Sequence, residues 1–104
     1  MILRYATKAM VDMDAIAENI QLNSSRSALR FLEAAERTAE RLLTFPEFGA
    51  VFESDDPELQ GLRACLVTDF EKYLLFYRIE GEEVIIRRIL HGHRNLPGAL
   101  KESS

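Results

Sequence analysis

The chain has 104 residues, 47% of them hydrophobic and 29% charged, with a formal net charge of -4; that length fits one domain, residues 1–104, burying somewhat over ~60% of its unfolded surface in a single core. The acidic balance excludes a surface that grips nucleic acid throughout, because neutralising phosphates needs a clear Lys/Arg excess. The longest apolar runs, such as Tyr73 to Tyr77, fall far below the ~18 residues that a membrane span requires.

The N-terminus lacks a basic segment followed by an apolar one, so no export signal is read and a cytoplasmic location is expected. Ile2 to Ala6 reads as a first strand, with Thr7 placed to cap the helix that follows. Met10, Met13, Ile16, Ala17 and Ile20 recur at helical spacing, predicting a helix from Lys8 to Leu22 with Asp12, Asp14 and Glu18 turned to water. Asn23-Ser24-Ser25 breaks it, and Ser24 or Ser25 can cap a second helix with an apolar stripe of Ala28, Leu32, Ala35, Ala39, Leu42 and Leu43. The opposite face, Arg30, Glu33, Glu36, Arg37, Glu40 and Arg41, alternates in sign as solvated faces do. Small residues on the stripe let backbones approach closely, so the two helices are read as an antiparallel hairpin.

Phe45-Pro46-Glu47-Phe48-Gly49 stops the second helix, since proline clashes with a continuing turn. The connection beyond it, with Glu53, Asp55, Asp56 and Glu58, lacks the alternating ligands and central glycine of a calcium loop and reads as mobile and solvated. From Leu62 the period changes to that of strands. Leu62 to Val67, Lys72 to Glu80 and Glu83 to Leu90 form an antiparallel meander joined by Thr68 to Glu71 and by Gly81-Glu82. The fold expected is therefore α+β, in the order β-α-α-β-β-β, with the hairpin on one face of a small, mainly antiparallel four-stranded sheet.

In the middle strand of the meander Tyr73, Leu75, Tyr77 and Ile79 point one way, Leu74 and Phe76 the other. One helical hairpin covers one face, which leaves the second face as an apolar surface for a protein partner. The segment Leu96 to Leu100, or a second copy of the chain, are the alternative covers.

Cys65, the only cysteine, excludes an intrachain disulfide and reads as a buried thiol. His91 and His93 are two apart at the end of the last strand, but no third ligand stands near them, so neither metal nor cofactor is expected. Residues Val84 to Lys101 contain no acidic side chain. Arg87 and Arg88 are open to pairing with Glu80, Glu82, Glu83 or the acidic loop, whereas Arg94, following Gly92, has no local carboxylate and can grip an acidic partner bidentately.

The order of elements, with Leu62-Arg-Ala-Cys-Leu-Val67, Tyr73-Leu-Leu-Phe-Tyr-Arg-Ile79 and Ile89-Leu-His-Gly-His-Arg-Asn-Leu96, resembles the ParE/RelE superfamily of bacterial toxins from type II toxin-antitoxin modules. The resemblance implies a toxin held harmless in a hetero-oligomer by an antitoxin whose extended C-terminal region wraps the toxin's sheet and helices. The RelE branch cleaves mRNA on the ribosome with several cations on its sheet, as proton transfer and charge stabilisation at phosphate require. Here Arg94 matches one of them, while Cys65, Val67 and Leu74 stand where others would be and Leu100 where a tyrosine would be. The pattern is that of the ParE branch, which binds DNA gyrase without catalysis and pairs with a ParD-like, ribbon-helix-helix antitoxin; a RelE-like nuclease using His91 and Arg94 is the alternative. The residues expected to bind antitoxin or target are Arg63, Tyr73, Phe76, Tyr77, Arg78, Arg87, His91, His93, Arg94 and Leu96, with none catalytic.

Overall fold

A computed structural model describes residues 1–53, 55, 57 and 60–92. Strand β1 (Ile2–Tyr5) leads into helices α1 (Thr7–Gln21) and α2 (Ser25–Thr44); β2 (Ala50–Val51), β3 (Arg63–Val67), β4 (Phe70–Glu80) and β5 (Glu83–His91) follow. The strands form one sheet in the order β1-β5-β4-β3-β2, parallel at β1/β5 and antiparallel elsewhere. The α+β architecture and the hairpin are as expected, but the sheet has five strands rather than four. The additional strand is two residues long, too short to show any alternation among turn residues.

Local chemistry explains the boundaries. Ser24 caps α2, its hydroxyl accepting from the Ser27 amide at 3.0 Å. Thr7 is not a cap: Ala6 holds that position without a side-chain bond, and its own N–H ends the β1 ladder on the Ile86 carbonyl. Ala6 alone separates strand from helix, and its methyl side chain offers no hydroxyl to turn back. Between β3 and β4 the chain turns at Thr68-Asp69, with Asp69 at φ 71 and its amide bonded to the Glu71 carboxylate.

The main core lies between the hairpin and one face of the sheet. Phe31 of α2 sits at its centre, fully buried, edge-on to Phe70 at 5.5 Å and to Tyr73 at 5.2 Å. Around it pack Ala34, Ala35, Ala39 and Leu42 of α2 and Cys65, Val67, Leu75, Tyr77, Val84, Ile86 and Ile89 of the sheet. Helix α1 contributes Ala9 and Met13, with Ile16 and Ile20 partly buried. Met10, expected in that stripe, is 55% exposed, because the helix is rotated to bury Ala9 instead.

Two further expectations are corrected. Asp12 does not face water: its carboxylate accepts from Arg88 Nε at 2.7 Å, Arg88 Nη2 at 3.2 Å and the Ile89 amide at 3.0 Å. Strand β1 pairs with β5 only as far as Ile86, so the next amide of that edge is taken by a helix side chain in place of a strand. This partner of Arg88 is none of the glutamates expected from the sequence.

The second face of the sheet is not open where Phe76 lies. Leu62 and Phe76 are buried in a small second core with Phe52, Ala64, Leu74 and Leu90, and the Phe52 ring meets Phe76 edge-on at 5.4 Å. Phe52, at the start of the connection read as solvated, and Leu62, read as the first residue of the meander, supply this cover, held together by the Phe52 amide on the Leu62 carbonyl at 2.8 Å. Glu53 and Asp55 are exposed, and Asp56 and Glu58 lie outside the described residues.

Candidate functional site

The residues singled out in the sequence separate into distinct environments. Phe76 and Tyr77 are both 0% exposed, so neither presents the surface expected of it. Tyr77 lies in the main core with its hydroxyl at the edge, donating to the Pro46 carbonyl at 2.6 Å and accepting from the Gly49 amide at 2.8 Å. Arg63 holds the same turn from outside, Nη1 donating to the Gly49 carbonyl at 2.7 Å and to that of Glu47 at 3.4 Å. Arg78 donates to the Gln60 carbonyl at 2.9 Å and lies 3.6 Å from Glu80. Both arginines brace connections.

Tyr73 and His91 are partly buried and meet edge-to-face at 5.1 Å across β4 and β5, beside the Gly92 amide, which bonds to the Lys72 carbonyl. Arg87, partly exposed, makes no hydrogen bond or ion pair among the described residues. It is the extra residue of a bulge, where Phe76 faces Arg88 and Tyr77 faces Ile86. His93, Arg94 and Leu96 lie outside the described residues.

Sequence reasoning missed a concave feature formed by the described residues. A groove of about 710 Å³ runs between the C-terminal half of α2 and the edge of β3, with Thr38, Leu42, Ala64 and Cys65 at its base. Phe45, Phe48 and Leu66, which are 62%, 71% and 50% exposed, form its apolar sides. Arg41 stands at the rim, hydrogen-bonded to the Thr68 hydroxyl, near Glu71. Large apolar side chains held open in this way mark interaction surfaces. The signal was present in Phe45-Pro46-Glu47-Phe48-Gly49, where two aromatics occupy a helix stop that needs only its proline and glycine.

Burial pushes the Cys65 thiol up to about 11, against a smaller opposing pull from Arg41. At neutral pH it is therefore a protonated hydrophobe of the groove base, not a nucleophile. The neighbouring buried polar group, Thr38, is satisfied on both sides, donating to the Ala34 carbonyl at 2.8 Å and accepting from the Thr68 amide at 3.1 Å.

The sheet offers little to an RNA phosphate. Cys65 and Val67 are buried under α2, and Leu74 packs against the second core. A slipped alignment would bring in Arg63, which is engaged by the 46–49 turn, or Lys72, which is exposed on β4. Charge stabilisation at a scissile phosphate needs several converging donors, and Cys65, Val67 and Leu74 supply none.

Residues 3–96 match the ParE toxin family of the type II toxin-antitoxin system, parDE. The chain belongs to that family. Among solved structures it is similar to a chain of the chromosomal ParDE toxin-antitoxin system from P. aeruginosa, with 26% identity and a TM-score of 0.71 over 88% of this chain and 95% of that one. A conserved hypothetical protein of Helicobacter pylori, HP0894, shares the fold at 17% identity and a TM-score of 0.54, covering 89% of this chain and 96% of its own. Comparison with curated protein sequences gave no significant match.

For this ParE-family chain, Tyr77→Phe keeps the ring in the core but strips a buried amide and a carbonyl of their partner. It is expected to lower the unfolding free energy by about 1–3 kcal/mol, read from urea denaturation with secondary structure unchanged.

Proposed function

We propose that the chain is the toxin of a two-component module, binding DNA gyrase without catalysis in the cytoplasm, and that a ParD-like antitoxin of the ribbon-helix-helix type neutralises it in a hetero-oligomer. The observation that carries the reading is the family match across residues 3–96. Two features of the site support it: the uncharged residues at the sheet positions where a nuclease needs cations, and the open groove of Phe45, Phe48 and Leu66 with Arg41 at its rim. The groove suits an antitoxin segment that offers apolar side chains beside a carboxylate, since a guanidinium at an apolar rim favours a charged partner over water.

The test is a gyrase assay. Purified toxin is expected to inhibit supercoiling and to accumulate gyrase-dependent DNA breaks, with addition of the antitoxin encoded beside its gene restoring activity. Unaffected supercoiling with no breaks overturns the gyrase target, and mRNA cleavage in a translation extract under the same conditions would assign a nuclease instead.

A further inference from the structure

Phe45 and Phe48 project from a turn whose inner side is fastened by groups lying off the groove. Gly49 is the centre of that fastening: its N–H donates to the Tyr77 hydroxyl at 2.8 Å and its carbonyl accepts from Arg63 Nη1 at 2.7 Å. The same hydroxyl donates to the Pro46 carbonyl at 2.6 Å, so one buried atom ties both ends of the Pro46 to Gly49 turn to β4. A Cβ at Gly49 would stand 2.8 Å from Tyr77 Cε1 and Oη and 3.0 Å from the Ala64 carbonyl, which explains why glycine occupies this position. Neither Tyr77 nor Arg63 lines the groove.

We propose that Tyr77 and Arg63 are positioning residues that preset the Phe45–Phe48 wall of the groove and thereby set the affinity of this toxin for its antitoxin, without touching it. The inference rests on the groove being the antitoxin seat. With the latch intact the aromatic wall waits in its bound geometry, and the antitoxin orders only itself. With the latch released, the turn samples other conformations and only the competent fraction binds. The latch joins backbone of the turn to side chains of β3 and β4, so it acts on the wall rather than on the core that the Tyr77 ring fills.

The experiment measures binding of the full-length antitoxin encoded beside this gene to wild-type toxin, Tyr77→Phe, Arg63→Met, Phe48→Ala and, as a control, Asp12→Ala. Asp12 braces the opposite end of the sheet through Arg88 and Ile89. At a temperature where all variants are folded, Tyr77→Phe and Arg63→Met are expected to weaken binding roughly 10- to 100-fold as the competent fraction falls, with faster hydrogen exchange at the Phe48 and Gly49 amides. Asp12→Ala is expected to retain wild-type affinity although it is the less stable protein. Wild-type affinity in both latch variants, or an equal loss in Asp12→Ala, overturns the proposal. If Phe48→Ala binds as wild type does, the groove is not the seat and the proposal falls while the antitoxin pairing stands. Absence of binding by wild-type toxin removes the functional reading itself. Where Tyr77→Phe does not fold, Arg63→Met alone decides, since it cuts the latch from the solvent side.

Discussion

Asp12→Ala is expected to lower the unfolding free energy by about 2–4 kcal/mol, because one carboxylate serves two functions in the fold. It receives the Arg88 guanidinium through two hydrogen bonds at 2.7 and 3.2 Å, and the backbone amide of Ile89 at 3.0 Å. The pair is only partly solvated, with side-chain exposures of 30% for Arg88 and 14% for Asp12. Charge-assisted bonds in such a setting exceed those of surface ion pairs, whose typical worth is ~0.2–1 kcal/mol. Alanine also strips the Ile89 amide of this acceptor at the place where β1 has already left β5. Asp12→Asn, which keeps the shape and one acceptor but removes the charge, should fall between wild type and alanine. Urea denaturation followed by circular dichroism measures both. A loss for Asp12→Ala no larger than that of the exposed Arg4–Glu83 pair, which is 3.0 Å long at the β1 edge, would show that the clamp contributes nothing beyond a surface contact.

Phe31→Ala should have a larger effect, about 3–5 kcal/mol, since it deletes a whole ring from a site that cannot collapse. Phe31 is fully buried, flanked by Phe70 and Tyr73 edge-on and by the small residues Ala34 and Ala35. None of these neighbours can extend into the space left behind, because two are rings anchored on β4 and two are alanines on the same helix. For a domain near this size, each kcal/mol moves Tm by roughly 4–8 °C, so a fall on the order of 12 °C or more is expected in a thermal scan. Phe31→Leu, which refills much of the volume, should recover over half of the loss. A shift in Phe31→Ala of only a few degrees would mean that the helical hairpin does not depend on this contact for its seat on the sheet.

The element order was readable along the chain. The change from period 3.6 to period 2 at Leu62, the proline at 46 and the serine cap at 24 each act over a few residues, and neighbouring side chains suffice to express them. The family resemblance was readable for a related reason, since Tyr73 to Ile79 and Ile89 to His91 are contiguous strand sequences. What misled was any step from an element to its surroundings. Leu74 and Phe76 were correctly assigned to the face opposite Tyr73, Leu75 and Tyr77, yet that face is closed by Phe52 and Leu62, whose connection has a composition typical of solvated loops.

The site shows the same division. Tyr77 was singled out as a surface aromatic, but its role depends on a hydroxyl meeting a turn 28 residues earlier. Arg88 was left open to pairing with a glutamate of the β4–β5 turn or with the acidic loop, and the carboxylate it found lies 76 residues away on α1. Phe45 and Phe48 looked like part of a helix stop, and became a groove wall only when β3 was laid beside α2. The sequence by itself thus determined the hairpin, the meander and the family, because periodicity, caps and turn residues are local. Tertiary structure alone decided which aromatics stay exposed, which carboxylate is clamped and where the groove opens, because each depends on segments that meet only when the sheet and the hairpin pack together.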